Sequence, residues 1–156
     1  MKKKILFVCL GNICRSPSAE AVMKEYISIN QLESAMVCDS AGTSGWHIGD
    51  LADNRMRKHA AKRNYKLESI ARQFDPEKDF DAFDLIIGMD AQNLIDLRAL
   101  ARNKTDLQKL KLMTNYCTRH SNYDSVPDPY YGGDEGFELV LDILEDACEG
   151  LLKELQ

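Results

Sequence analysis

Hydrophobic and polar positions along this chain fall into short apolar runs separated by longer stretches of mixed polarity. The first run, Ile5-Leu6-Phe7-Val8, shows no alternation and is rich in strand formers, which predicts a strand covered on both faces, as in a parallel sheet. Asp84-Leu85-Ile86-Ile87-Gly88-Met89 repeats that pattern. Ala35 to Ser40 reads as another strand, and Leu110-Lys111-Leu112-Met113 as a short fourth. Between them the period changes. From Ser16, a good N-cap, and Pro17, suited to the first turn, strong helix formers run to about Asn30. Leu51 to Asn64 reads as a helix with Met56, Ala60 and Ala61 for packing and Arg55, Arg57, Lys58, Lys62 and Arg63 as a solvated face. The stretch from Leu67 to Phe83 is less regular, with Asp75-Pro76-Glu77 starting a helical turn. Asp90 is read as the cap of a helix reaching about Ala101, a structural role. Thr114 to Gly133 is polar and aperiodic, and Glu135 to Leu155 is an amphipathic helix with Phe137, Val140, Leu141, Leu144, Ala147, Leu151 and Leu152 on one face. Strands alternating with helices predict an α/β fold with ligands beyond the carboxyl ends of the strands.

The first strand and helix are joined by Cys9-Leu10-Gly11-Asn12-Ile13-Cys14-Arg15-Ser16. Such a loop turns backbone N–H groups and the positive end of a helix dipole toward one spot, where an anion belongs. Gly11 permits a positive φ and Asn12 tolerates one. With Cys9 opening the loop and Arg15 closing it, a curled backbone sets a sulfur beneath a tetrahedral oxyanion and a guanidinium beside it. Such surroundings favour thiolate, the reactive form, and Arg15 can grip two oxygens at once. On spacing alone the bland reading stands level with this one, because a cysteine at a strand end is usually a small buried apolar residue. The agreement of strand, Gly, Asn and capped helix tips the balance toward a cradle. A nucleotide-binding loop is disfavoured, because Gly-Lys-Ser/Thr is missing.

Composition narrows the class. The length of 156 residues suits one domain over 1–156, and 44% hydrophobic with 29% charged residues is ordinary for a globular protein. A formal net charge of −5 argues against nucleic acid as a partner, so phosphate recognition must be local. Lys2-Lys3-Lys4 precedes too few apolar residues to be a signal peptide or membrane span, which predicts a cytoplasmic protein. The five cysteines form no CxxC pair and no zinc spacing, so reduced thiols and no metal site are expected.

The loop from Cys9 to Ser16 resembles the signature of the low-molecular-weight protein tyrosine phosphatases. The likeness continues at Asp39-Ser40-Ala41-Gly42-Thr43, at Gly88-Met89-Asp90 and at Asp128-Pro129-Tyr130-Tyr131-Gly132, in the family's order over nearly the whole chain. It implies a three-layer α/β/α fold on a four-stranded parallel sheet of order 2-1-3-4. The implied activity is hydrolysis of phosphotyrosine and small aryl phosphates through a phosphocysteine on Cys9, without cofactor or metal. Tyrosine-phosphorylated proteins would be the partners, and phosphate or other tetrahedral oxyanions the inhibitors.

A phenol of pKa about 10 leaves poorly as phenolate, so this chemistry needs a proton donor. Asp128, between two prolines, would be mere turn chemistry on general grounds; with the family match it becomes the expected general acid and base. The resemblance places Leu10, Gly11, Asn12, Ile13, Cys14 and Ser16 around the phosphate, Ser40 in support of Asn12, and Trp46, Tyr130 and Tyr131 along the substrate cleft. Read from its Gly-rich setting alone, Trp46 is either an exposed wall or a loop anchor. His47 has no assigned role. Ser69 stands where the family often has a histidine, which leaves the support of Asn12 open. Cys14 is implied as a redox partner of Cys9. Three rivals accompany this reading: an arsenate reductase, disfavoured because no cysteine occurs between Cys38 and Cys117; a phosphoarginine phosphatase, whose relatives tend to carry threonine where this chain has Ile13; and a phosphotyrosine-binding module without turnover.

Overall fold

The computed structural model describes residues 2–130 and 132–156. The central strand is β1 (Lys3–Cys9), in which Ile5, Leu6, Phe7 and Val8 are wholly buried. Its side chains feed two cores. Ile5 and Phe7 pack with α1 (Arg15–Ile29) and the C-terminal helix α6 (Asp134–Leu155), while Leu6 and Val8 face Phe74, Phe80, Leu94 and Leu97. An apolar run without alternation is what a strand between two helical layers requires.

β2 (Met36–Gly42), α2 (Asn54–Ala61), α3 (Asp79–Ala82), β3 (Leu85–Gly88), α4 (Ala91–Leu100), α5 (Lys104–Gln108) and β4 (Leu110–Leu112) complete the order before α6, with a 3-10 turn at Met113–Tyr116. The sheet runs β2-β1-β3-β4 with every pair parallel, the order the resemblance implies. Registers Cys9↔Gly42 and Val8↔Gly88 align three strand ends on one edge of the sheet, where the loop after β1 emerges.

The structure alters several details of the sequence reading. Cys14, not Ser16, occupies the N-cap of α1 and makes no side-chain cap, so Ser16 lies inside the first turn with its hydroxyl available for other work. α2 starts at Asn54, where the Asp53 carboxylate takes the N–H groups of Arg55 and Met56. α5, capped by Asn103, was not anticipated. The charged face assigned to α2 is not wholly solvated: Arg63 reaches Glu138, Asp142 and Glu145 on α6.

Candidate active site

The loop from Leu10 to Cys14 is held open by its carbonyls. Those of Cys9 and Leu10 accept from the N–H groups of Thr43 and Ser44 at 2.9 Å each, and that of Ile13 accepts from Asp53 at 2.8 Å. With these three acceptors tied to neighbouring segments, the loop's N–H groups lie next to the first turn of α1, whose amides no side chain caps, an arrangement suited to an anion. Asn12 takes φ 59°, the left-handed conformation anticipated for it.

Asn12 is also the hub of the support beneath the loop. Its Nδ2 donates to Ser16 Oγ at 2.8 Å and Ser40 Oγ at 3.0 Å, and its Oδ1 accepts from the Arg72 N–H at 3.0 Å. The wiring left open by Ser69 is thus made by Ser16, Ser40 and the backbone of Arg72. Ser16 Oγ lies 3.0 Å from Cys9 Sγ.

Arg15 is buried with 4% of its surface exposed, and every contact it makes aims it. Nη1 donates to Asp90 Oδ2 at 2.6 Å and to the Val126 carbonyl at 3.1 Å, while Nη2 stands 3.7 Å from Asp128 Oδ2. Burial alone would lower its pKa; Cys9, Asp90 and Asp128 outweigh that and hold it above its ordinary value. Asp90 therefore does two things. Its Oδ1 caps α4 through the Asn93 N–H at 2.7 Å, as anticipated, and its Oδ2 orients the arginine, a role the sequence reading did not give it.

A cleft of about 90 Å³ opens above the cradle, with Cys9 and Arg15 at its base. Leu10, Ile13, Trp46 and Tyr130 supply its apolar walls, and Asp128 lines it with a carboxyl. Trp46 is 77% exposed, so of the two readings the exposed wall is the one realised. Asp128 Oδ1 accepts from the Tyr130 N–H at 3.0 Å, leaving Oδ2 toward Arg15 and the cleft. Tyr131 lies outside the described residues. Cys14 lines the cleft too, but burial first, then Asp53, Cys9 and Asp128, push its thiol well above the ordinary range.

Two residues of the site escaped the sequence reading. His47 lines the cleft, with its Cδ2 3.0 Å from where a Cβ on Gly11 would sit, so Gly11 makes room for the ring. Arg55, read as part of a solvated face, donates from Nη2 to the Tyr130 carbonyl at 2.7 Å and lies over the Phe137 ring at 4.9 Å, tying the segment of Asp128 to α2. The histidine had a visible setting, in a Gly-rich turn after the second strand. The arginine gave no signal, because its partner is a backbone carbonyl.

A sulfur, a guanidinium and a carboxyl lining one cleft beside an open backbone loop are the groups that a cysteine-based phosphatase requires. The family model for low molecular weight phosphotyrosine protein phosphatase matches residues 4–156, and the chain belongs to that family. A low molecular weight protein-tyrosine-phosphatase of Streptomyces coelicolor is 44% identical over 153 residues, covering 97% of this protein and 93% of its own length. A protein tyrosine phosphatase from Entamoeba histolytica, solved with Hepes in the active site, superposes with a TM-score of 0.95 at 49% identity, covering 99% of this chain and 97% of that one. A Drosophila arginine phosphatase superposes with a TM-score of 0.88 at 31% identity, covering 99% and 97%. The protein is a cysteine-dependent protein tyrosine phosphatase of this low-molecular-weight class. No helix among the described residues is long and apolar enough to cross a membrane.

Proposed function

We propose that the protein hydrolyses phosphotyrosine in proteins, and small aryl phosphates, through a phosphocysteine on Cys9. The observation that carries this is convergence: Cys9, Arg15 and Asp128 share one cleft while the carbonyls of Cys9, Leu10 and Ile13 are tied to neighbouring segments. In the first step the Cys9 sulfur attacks phosphorus in line, and the P–O bond breaks as the leaving oxygen takes the Asp128 proton. Arg15 and the N–H groups of the loop from Leu10 to Cys14 neutralise charge on the equatorial oxygens. In the second step water attacks phosphorus, giving its proton to Asp128, and the P–S electron pair returns to Cys9. Ser16 steadies the departing thiolate from 3.0 Å. These fixed donors supply the positive field.

Residues 1–156 act in this reading as one phosphatase domain, in the cytoplasm, with phosphate and other tetrahedral oxyanions competing for the cradle. The Hepes in the Entamoeba structure carries a sulfonate, an oxyanion of that shape. A phosphoarginine substrate is the second reading, favoured by the likeness to the Drosophila arginine phosphatase. Against it stands Ile13, whose apolar side chain at the cleft suits an aryl group. Asp128→Ala tests the assignment across a series of aryl phosphates: the loss should be severe for poor leaving groups and small for good ones. Equal losses would remove Asp128 from the acid's role, and faster turnover of phosphoarginine than of phosphotyrosine by the unaltered enzyme would reverse the choice of substrate.

A further inference from the structure

Beneath the cradle lies a carboxylate that the reaction does not use directly. Glu20, on α1, is buried at 5% exposure and pairs with Lys24 one turn on. Its Oε1 accepts from Ser40 Oγ at 2.6 Å.

The protons of this cluster can be counted. A hydroxyl has one proton to give, and a carboxylate only accepts. Ser40 therefore spends its proton on Glu20 and must accept from Asn12 Nδ2. The Asn12 amide cannot turn over, because its Oδ1 holds the Arg72 N–H. The second Nδ2 proton goes to Ser16 Oγ, which leaves the Ser16 proton for Cys9 Sγ at 3.0 Å or for the Ala41 carbonyl at a longer 3.4 Å. The bonds therefore diverge from Asn12, one arm running through Ser40 to the Glu20 carboxylate and the other through Ser16 to the sulfur.

We propose that Glu20 is a positioning residue of the active site: its buried carboxylate fixes Ser40 as the acceptor that holds one Asn12 N–H, so that the other N–H stays on Ser16 and the Ser16 hydroxyl stays a donor to Cys9. Without an acceptor at position 20 the Ser40 hydroxyl can turn, its lone pair no longer faces Asn12, and the amide's hold on Ser16 weakens. The effect falls on the thiolate as nucleophile and leaving group, so it appears in kcat and leaves KM nearly unchanged.

This rests on Cys9 being the nucleophile, and Cys9→Ser checks that separately: full turnover in Cys9→Ser would end the proposed function whatever Glu20 does. Glu20→Met keeps the length and removes the acceptor. With the melting temperature confirming a folded protein, kcat should fall about tenfold and the pH midpoint of Cys9 alkylation by iodoacetate should rise by about one unit, the scale of one weakened charge-assisted hydrogen bond. Glu20→Met combined with Ser40→Ala should be no worse than Ser40→Ala alone, because both cut the same chain. Glu20→Gln, which retains an acceptor oxygen, keeps the question answerable if the methionine variant does not fold: it should lower kcat about threefold in the unaltered background and not at all in Ser40→Ala. An unshifted alkylation profile in folded Glu20→Met, or losses that multiply with that of Ser40→Ala in either pairing, would overturn the proposal.

Discussion

Gly42→Ala adds one methyl group at the end of β2, at the register partner of Cys9, and it should disable the enzyme without unfolding it. A Cβ there would lie 2.7 Å from the Leu10 carbonyl oxygen and 3.1 Å from the Asn12 nitrogen. Both are backbone atoms of the cradle, so no rotamer change relieves the contact. Gly42 cannot retreat either, because its N–H donates to the Arg72 carbonyl at 2.9 Å and its carbonyl accepts from Phe74 at 2.7 Å. Carbon and oxygen rest about 3.3 to 3.6 Å apart when in close contact, so the loop must move by roughly 0.6 to 0.9 Å. A misplacement near 1 Å costs on the order of 100-fold in rate. We therefore expect kcat/KM for an aryl phosphate to fall about 30- to 100-fold, with weaker inhibition by inorganic phosphate and a stability loss of about 1 to 3 kcal/mol. Gly150→Ala is the control. Its Cβ would meet the Tyr116 carbonyl oxygen at 2.0 Å, where α6 crosses the 3-10 turn away from the cleft, so it should cost more stability while the folded enzyme keeps its kcat/KM. Unaltered kcat/KM in folded Gly42→Ala would refute the argument that this contact shapes the cradle.

Peroxide should inactivate the enzyme by oxidising Cys9 to a sulfenic acid that Cys14 converts to a disulfide with loss of water, and dithiothreitol should restore activity by reducing that disulfide; in Cys14→Ser recovery should be lost as Cys9 climbs to sulfinic acid. Because burial holds the Cys14 thiol protonated, disulfide formation should quicken as pH rises, and a rate independent of pH would argue against Cys14 as the attacking thiol. Asp146 of α6 accepts from the N–H groups of Thr118, Arg119 and His120, and these bonds overcome burial to hold its carboxyl below the usual range. A carboxyl lowered in the folded state contributes stability above its unfolded pKa and loses it as pH falls below about 4. Asp146→Asn should thus lower the melting temperature at neutral pH by about 5 °C and flatten its decline below pH about 4, and an unchanged acid limb would contradict this.

The strands were legible because the evidence is local: Ile5 to Val8 and Leu85 to Ile87 are continuous apolar runs, and the loop after β1 carries its chemistry within a few positions; the order of the strands in the sheet came from the family resemblance, not from these runs. Asp90 was legible as a cap for the same reason. Its second role was not, since Arg15 meets it across 75 positions of sequence. Arg55 is exposed, as a cation on a helix face is expected to be, but its bond to a carbonyl far along the chain was not legible. Ser16 satisfies the residue preference for an N-cap, yet the backbone turns into the helix earlier, at Cys14, and the hydroxyl faces the sulfur instead. α5 has five residues, too few for a periodic signal. Glu20 reads as an ordinary helix former and reveals its place only when β2 brings Ser40 beside it.

The central claim is that the phosphoryl group passes through sulfur. Rapid mixing of the enzyme with an aryl phosphate, followed by a denaturing quench and peptide mass spectrometry, tests it most directly. A phosphoryl adduct on Cys9 that forms and decays within the turnover time, and accumulates in Asp128→Ala with a good leaving group, is the predicted result. Full turnover by Cys9→Ser, or a phosphoryl adduct on another residue that is kinetically competent, would contradict it.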